Sequence, residues 1–469
     1  MYRTHTCGEL RKEHTSKSVT LAGWADAIRV QGRIGFVLLR DRYGVTQCFI
    51  PKELCDEAKL SEIRKESVLQ IHGVVNLRPE NQVRTEMATG EIEVKATSLK
   101  VLSAADPLPL ELDESVQSTE DTRLKYRYLD LRRPKMARNI ALRHKAIKFF
   151  RDYLDRHGFL EITTPILTKS TPEGARDYLV PSRLHKGCFY ALPQSPQQYK
   201  QLLMVAGMDK YFQVAPCFRD EAARAHRAPG EFYQLDIEMS YVQQEDVLAL
   251  TEEMFIKMIA TVFPEKRIAQ VPFPRIPYDE AMKQYGTDSP DLRKDKNDKD
   301  ELAFCWVIDF PLFTRQTQED YFYGAGKVWA PSHHMFTMPK EEDIPLLENE
   351  PGKALSYQHD LVLNGFEVGG GSIRIHDAKI QERIFDLIGF TPEQKKEFAH
   401  MLEAFRYGVP PHGGIAPGID RLLMVILGEE SIREVIAFPK DKAARDPVMD
   451  APSPVPQEQL DELGLSIRK

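Results

Sequence analysis

The sequence predicts an α+β protein that opens with a small all-β domain, and three observations predict it. The first hundred or so residues carry only strand-like runs. A long amphipathic helical stretch begins near residue 140. Beyond it strand-like and helical runs alternate, and several of the strands fall in hairpin-like pairs, which points to an antiparallel sheet flanked by helices.

The first domain spans residues 1–105. Its candidate strands are Val19–Asp26, Ile34–Arg40, Val45–Ile50, Val68–Asn76 and Ile92–Leu102, partly alternating and rich in β-branched residues. Arg42-Tyr43-Gly44 and Ala88-Thr89-Gly90 supply turn chemistry between them. Five short strands in this length suit a small closed barrel such as an OB-fold. Asp106-Pro107-Leu108-Pro109 breaks the pattern and opens a hinge over residues 106–135. From Arg123 to Lys148 basic residues recur (Arg127, Arg132, Arg133, Lys135, Arg138 and Arg143 among them), with Asp130 alone opposing them. That stretch reads either as a solvated basic face or as a stripe laid along a phosphate backbone.

The second domain spans residues 136–469. Ile140, Ile147, Phe150 and Leu154 share one helical face, Gly158 sits where the helix would be capped, and Glu161 to Pro165 runs extended. Strands are expected at Tyr211–Phe218, Phe232–Tyr241, Phe304–Asp309, His359–Leu363 and Phe366–Ile375. Helices are expected at Ser195–Val205, Gln244–Phe263, Ala378–Gly389, Pro392–Tyr407 and Ile419–Leu427. Residues 291–301 are poor in apolar side chains and read as a solvated surface loop.

Composition narrows the function classes. The chain is 42% hydrophobic and 28% charged, as in a soluble globular protein. The apolar run Leu422–Leu427 is far too short to span a membrane, and Met1-Tyr2-Arg3-Thr4-His5 lacks the apolar core of a secretory signal. No two of the six cysteines form a CxxC pair, so free thiols in a reducing cytoplasm are expected. There is no GxxxxGK[ST] loop, no GxGxxG after a strand, and no GxSxG, HExxH or kinase signature. A user of ATP without these must hold phosphates with arginines and metal-bound carboxylates.

Three groups of residues could do that. Phe218-Arg219-Asp220-Glu221, a short loop, and then Glu231-Phe232 would put an arginine fork and an aromatic face on adjoining strands. Gly418-Ile419-Asp420-Arg421 opens a helix with an arginine that could meet a terminal phosphate. Asp360 and Glu367 could share a magnesium ion. Taken singly, each has a plain structural reading: a surface arginine, or a pair of solvated acids. The His333-His334 pair could suggest a metal, but no further ligand cluster supports it, so no histidine metal site is assigned.

In this order and spacing, the extended segment ending at Pro165, the stretch from Phe218 to Phe232 and the run from Gly418 to Arg421 resemble motifs 1, 2 and 3 of class II aminoacyl-tRNA synthetases. Arg127-Tyr128-Leu129-Asp130-Leu131-Arg132-Arg133-Pro134 resembles the hinge of the class IIb group. Residues 171–183, Ala191-Leu192-Pro193-Gln194-Ser195-Pro196-Gln197 and Gly369-Gly370-Gly371-Ser372-Ile373-Arg374-Ile375-His376 resemble bacterial aspartyl-tRNA synthetases. The resemblance covers essentially the whole chain. It implies a cytoplasmic, homodimeric ligase that activates L-aspartate with ATP and Mg²⁺ and charges tRNA(Asp), with tRNA(Asn) as a further acceptor to test.

Residue by residue, the resemblance implies the following. Lys200 and Arg374 hold the substrate's side-chain carboxylate, rejecting the neutral amide of asparagine. Asp236, Ser195, Gln197 and Glu173 surround its ammonium, and His333 and His334 lie on an approaching loop. Arg219 meets the α-phosphate, Glu221 contacts adenine, Phe232 stacks on it, and Arg421 holds the γ-phosphate. Asp220, Gly418 and Asp420 complete the ATP site, and Asp360 with Glu367 binds Mg²⁺. In the barrel, Phe36 stacks on an anticodon base while Arg29 and Gln47 hydrogen-bond. Without the resemblance, Phe36 reads as core.

The chain departs from that pattern in three places. A domain that bacterial members usually insert between Arg293 and Phe304 is replaced by the short polar run. In the motif 2 loop Ala222 and His226 stand where acids are expected, and Gly230 looks added. In the barrel Ala27 and Ile28 stand where arginines are expected. An amide-forming paralogue would usually lose the barrel, and a catalytically dead relative would lose Arg219, Glu367 or Arg421; all of these are present.

Overall fold

The computed structural model describes residues 1–469 apart from 171–174, 222–223, 228–229, 318–327 and 468–469. The chain divides into two compact units, Met1–Ser118 and Thr119–Lys469.

The first unit is a closed five-stranded barrel. Its strands are β1 (Ser18–Gln31), β2 (Ile34–Asp41), β3 (Gly44–Ile50), β4 (Val68–Leu77) and β5 (Ile92–Ser103), in spatial order β1-β2-β3-β5-β4, with a short helix α1 (Lys52–Glu57) after β3. Alternation drives it. Val19, Leu21, Val37, Leu39, Cys48, Ile50, Leu69, Ile71, Val75, Ile92 and Val94 point inward and are fully buried. Phe36, flanked by buried Gly35 and Val37, faces outward and is only half-buried. Its core reading is therefore set aside.

The second unit is built on an eight-stranded sheet. In chain order its strands are β6 (Leu160–Glu161), β7 (Lys210–Arg219), β8 (Gly230–Ser240), β9 (Arg275–Pro277), β10 (Phe304–Ile308), β11 (Gln358–Leu363), β12 (Phe366–Ile373) and β13 (His412–Pro417). Across the sheet the order is β9-β10-β11-β12-β13-β8-β7-β6. The inner strands pair antiparallel, and the edge pairs β9–β10 and β6–β7 are parallel, so the sheet is mixed rather than wholly antiparallel. Helices α2 (Pro134–Arg156), α3 (Gln197–Val205), α4 (Gln244–Val262), α5 (Ala378–Ile388) and α6 (Ile419–Leu427) cover it.

Helix α2 starts with Pro134 in its first turn and is followed by Gly158 at φ +78°, the left-handed cap that the glycine suggested. Its deepest side is Met136, Asn139, Ala146, Phe150, Tyr153 and Leu154. Ile140 and Ile147 stay half-buried, so the apolar face is rotated from the expected one. The expected helix over 392–407 is two, Pro392–Glu397 and Ala399–Phe405, broken at Phe398.

The basic stretch from Arg123 to Lys148 is largely a set of internal ties. Arg123 pairs with Asp130 and Glu434, each at 2.9 Å, and Lys135 with Glu429 at 2.6 Å. Buried Arg127 donates to Asp130 and to the carbonyls of Ile436 and Ala437. Arg138, Arg143 and Lys148 pair with Glu265, Asp420 and Asp152. Several of these residues are thus committed to ion pairs, and half of the acidic partners named (Asp420, Glu429 and Glu434) lie near the far end of the chain.

The polar run 291–300 is a surface loop held at both ends. Arg293 grips Asp291 at 2.8 Å, Arg267 pairs with Asp298, Lys266 reaches Asp300 at 2.8 Å, and Glu301–Leu302 pairs with Arg267–Ile268.

Candidate active site

The second unit carries two cavities that share Arg219, Glu221, Arg227 and Glu367 in their walls. The larger, about 530 Å³, is lined by Ser195, Gln197, Ser332, His333, His334, Gln358 and Asp360 among others. The smaller, about 110 Å³, is lined by Phe232, Tyr233, His226, Gly418, Asp420 and Arg421 among others.

Beside the larger cavity lies a cluster of buried charges. The Lys200 ammonium, on α3, donates to Asp236 Oδ1 at 2.7 Å and lies 3.3 Å from Glu238 Oε2. Arg374, just past β12, forks onto Glu238 at 3.0 and 3.2 Å, and its Nη1 meets Ser372 Oγ and His334 Nε2, each at 2.7 Å. All four charged side chains are at most 2% exposed. Each cation thus has a carboxylate partner, as burial in a poorly polarisable interior demands. None of the four lines the cavity; Arg374 reaches its wall through His334. Glu238 was missed in the sequence reading, although it sits two residues from Asp236 and so on the same face of β8.

The electrostatics follow from this packing. Burial works to raise the Glu238 carboxyl, but Arg374 and Lys200 outweigh it and hold it at about 2. For Asp236 burial wins over Lys200, and its carboxyl is raised. Burial, reinforced by Arg374, holds His333 and His359 at about 3, and burial with His333 and Arg374 beside it lowers His334 well below its usual value. These histidines are neutral.

Several buried polar atoms in this region have no protein partner: Asp236 Oδ2, Gln197 Nε2, Gln358 Oε1 and Ser332 Oγ. Gln197, Gln358 and Ser332 line the cavity, so it offers unmet acceptors and a donor to a polar ligand.

On β11 and β12, Asp360 pairs across from Gly370 and Glu367 from Val362, with a bulge between. A Cβ at Gly370 would lie 3.2 Å from Asp360 Oδ1, 3.4 Å from Glu367 Oε1 and 2.9 Å from His333. The glycine lets the two carboxylates converge. Burial and then Glu367 raise the Asp360 carboxyl well above its usual range, as for a carboxylate that lacks a counter-ion. Among the described residues no cluster of three or more His, Cys, Asp or Glu could hold a metal by itself. A pair of carboxylates, completed by phosphate and water oxygens, fits magnesium.

In the smaller cavity, Arg219 lies opposite Gly230 and Phe232 opposite Cys217, and the Arg219 guanidinium rests 5.1 Å from the Phe232 ring centre. Arg421, in the first turn of α6, donates to the Glu367 carbonyl at 2.6 Å and to the His226 carbonyl at 3.3 Å. Glu221 pairs with Arg227 at 2.6 Å. Gly418 bonds Val368 through its N–H at 2.9 Å, fixing the start of the helix against β12. Gly230 has φ +86°, and a Cβ there would meet Tyr178 Oη at 2.7 Å, which explains a glycine at the position that looked added.

Two residues expected at the nucleotide are held by protein partners, although Asp420 also lines the smaller cavity. Asp220 pairs with Arg176 at 3.6 Å and lines neither cavity. Both Asp420 oxygens have protein partners, Arg143 on one and the Tyr233 N–H at 3.1 Å on the other. Glu173 and Ala222 lie outside the described residues.

The barrel carries its own groove of about 450 Å³, lined by Arg29, Phe36, Gln47, Arg78, Asn81 and Arg84 among others. Arg29 and Phe36 are cross-strand partners, and Phe36 packs on Phe49 at 5.6 Å. Gln47 donates to Glu93 at 3.0 Å. Ala27 also lines the groove.

Residues 119–442 match the family model of class II tRNA synthetases (D, K and N), and residues 19–102 match that of the OB-fold nucleic acid binding domain. The aspartate–tRNA(Asp/Asn) ligase of Rubrobacter xylanophilus is 42% identical, the alignment covering 99% of this chain and 97% of that protein. That of Dehalococcoides mccartyi is 40% identical over 100% of this chain and 99% of its own. The aligned stretch with the first runs to 591 positions against this chain's 469 residues, so more than a hundred positions of the relative face gaps. Among solved structures, asparaginyl-tRNA synthetase from Pyrococcus horikoshii complexed with asparaginyl-adenylate superposes with a TM-score of 0.75 at 24% identity, covering 95% of this chain and 99% of that one, a likeness of fold.

Proposed function

We propose, from the premise that the chain belongs to the class II tRNA synthetases of the aspartate, lysine and asparagine group, that it activates L-aspartate with ATP and esterifies it onto tRNA. The observation that carries the choice of amino acid is the buried Lys200–Asp236–Glu238–Arg374 cluster beside a cavity with unmet hydrogen bonds.

His334 Nε2 occupies the place on Arg374 Nη1 that a substrate carboxylate oxygen would take. With Lys200 and Arg374 on its side chain, an aspartate is matched in charge. Asparagine would set a neutral amide against Lys200 and Arg374 and forgo the charge-assisted contacts that a carboxylate makes with them. Asp236 Oδ2 accepts from the ammonium, with Ser195 and Gln197 beside it. Glu173 is carried as an expectation.

Adenine lies on Phe232 with Glu221 at its edge. Arg219 faces the α-phosphate and Arg421 the γ-phosphate. The aspartate α-carboxylate attacks the α-phosphorus in line: a carboxyl-oxygen-to-phosphorus bond forms, the α–β anhydride bond breaks, and pyrophosphate leaves. No protein nucleophile or general base is needed. Arg219 stabilises charge on the phosphoryl oxygens, and the two cavities fix the angle of attack. Asp360 and Glu367 would hold Mg²⁺, which when bound would add charge neutralisation on the phosphates. A hydroxyl of the tRNA terminal ribose then attacks the mixed anhydride and AMP departs.

The barrel groove reads the anticodon, with Phe36 stacking and Arg29 and Gln47 at base edges. The relatives' names extend the acceptor to tRNA(Asn), and both tRNAs are candidates here. The gap of more than a hundred positions is assigned to the clamped loop 291–300. A cytoplasmic homodimer through α2 and Pro165 completes the reading, and Leu160, Ile166 and Leu167 stand exposed near that proline. No described helix is long and apolar enough to cross a membrane.

The test is pyrophosphate exchange into ATP without tRNA. Exchange supported by aspartate and not by asparagine is the expected result. Equal support by both overturns the charge-matching role of Lys200 and Arg374. A Phe36→Ala chain should exchange normally and charge tRNA with kcat/KM lower by roughly tenfold, about one lost base stack. Equal charging by the two chains would remove Phe36 from the anticodon site.

A further inference from the structure

Arg143 has no part in the chemistry described so far. It lies in the middle of α2, and its side chain is only 16% exposed. Its guanidinium pairs with Asp420 Oδ1, and its carbon centre lies 5.8 Å from the centre of the Tyr233 ring. The other Asp420 oxygen accepts the Tyr233 backbone N–H at 3.1 Å. Tyr233 follows Phe232 on β8, and Arg421 follows Asp420 on α6. One carboxylate thus joins three elements, α2, β8 and α6, two of which carry residues of the nucleotide pocket.

We infer that Arg143 is a positioning residue for ATP: by holding Asp420 it sets the spacing between the Phe232 platform on β8 and the Arg421 guanidinium on α6. The inference rests on the nucleotide reading of that cavity. The physical case is one of restraint. Asp420 is 4% exposed, and its carboxylate can accept from the β8 backbone and from a cation at the same time. A buried carboxylate without its cation turns or protonates, and its hold on the Tyr233 N–H changes with it. A backbone hydrogen bond one residue from a stacking ring controls that ring's height over the base. The same carboxylate belongs to the first turn of α6, so the arginine beside it moves with it. Loss of the pair therefore loosens both ends of the nucleotide together and leaves untouched the Lys200–Arg374 cluster, which meets β8 further along, at Asp236 and Glu238.

The experiment compares Arg143→Met and Arg143→Lys with the parent chain in pyrophosphate exchange, with Arg421→Ala as the control. Arg143→Met is expected to raise KM for ATP roughly tenfold, the equivalent of one charge-assisted contact. KM for aspartate stays within twofold, and Arg143→Lys restores much of the loss. Adding Asp420→Asn to Arg143→Met should cost little more, since both act on one contact. A merely structural role predicts a lower melting temperature with unchanged KM for ATP in both Arg143 variants, and that result overturns the inference. Equal rises in both KM values overturn it as well. If Arg421→Ala also leaves KM for ATP unmoved, the nucleotide reading itself fails. If Arg421→Ala raises it and Arg143→Met does not, only the inference falls.

Discussion

In the proposed reading, the two halves of the site solve the same problem, holding a charged substrate, in opposite ways. On the amino-acid side two cations and two carboxylates are sealed at 2% exposure or less and neutralise one another. On the nucleotide side the Arg421 side chain is 21% and the Glu367 side chain 44% exposed. Their contacts are few, and water screens them. The difference tracks what each half must tell apart. Aspartate and asparagine differ by one charge in nearly the same shape, and only a desolvated, pre-paired site makes that charge decisive. ATP is recognised by size, a stacking face and a highly charged tail, which partly exposed arginines and a metal can meet. Preorganisation is concentrated where discrimination is hardest.

The strongest way to break this comparison is to remove one charge from the sealed half. Glu238→Gln leaves Lys200 and Arg374 with Asp236 as their one carboxylate partner among these four groups. Breaking a buried pair costs about 3–5 kcal/mol, and the share of that cost borne by the aspartate complex is expected to lower aspartate-dependent exchange by up to about three and a half orders of magnitude. Stability should fall with it, read by thermal melting. A variant that exchanges within a few-fold of the parent would show that the cluster is structural filler and not the amino-acid site. A smaller change is expected in the open half. Phe232→Ala should raise KM for ATP by about tenfold, the loss of one base stack of about 1–3 kcal/mol, with KM for aspartate unmoved. A rise in the aspartate constant instead would join the two halves into one coupled site.

The same contrast explains what could be read from the sequence. The barrel strands and the strands through Arg219, Phe232 and Asp360 announced themselves by alternation and turn residues, which depend on local spacing. Strand β13 did not: His412-Gly413-Gly414-Ile415-Ala416-Pro417 looks like a loop. Its glycines are there for packing, since a Cβ at Gly414 would fall 1.9 Å from the Ile237 carbonyl and one at Gly413 2.5 Å from Ile373. The residues proposed for the nucleotide stand out in the sequence because they sit in short contiguous motifs. Glu238 was recoverable from its two-residue spacing to Asp236, but nothing local marks it as the partner of Arg374, which is 136 residues away. The basic stretch misled for the same reason. Arg123 and Arg143 find Glu434 and Asp420 across the fold, and no window along the chain contains both members of either pair.

The smallest expected effect is on pH, and it comes from the sealed half. Burial holds His333 at about 3 and His412 at about 4, against 6.5 for an exposed histidine, and keeps His334 neutral as well. The unfolded chain therefore binds these protons near 6.5 while the folded chain refuses them until pH 3 to 4. Within that window the unfolded state holds more protons, so stability rises with pH and is lost as pH falls from neutrality. Glu238 adds to the loss lower down, since its carboxyl stays ionised to about 2 in the fold and protonates near 4.5 when unfolded. The histidines' contribution to the melting temperature should decline progressively below pH 6.5, while the raised Asp236 and Asp360 carboxyls act with the opposite sign. His334→Gln keeps a hydrogen-bonding side chain beside Arg374 but cannot be protonated, and should flatten part of that decline. An unchanged slope in this variant would mean that the acid sensitivity lies elsewhere, and that the sealed half is less dry than its packing indicates.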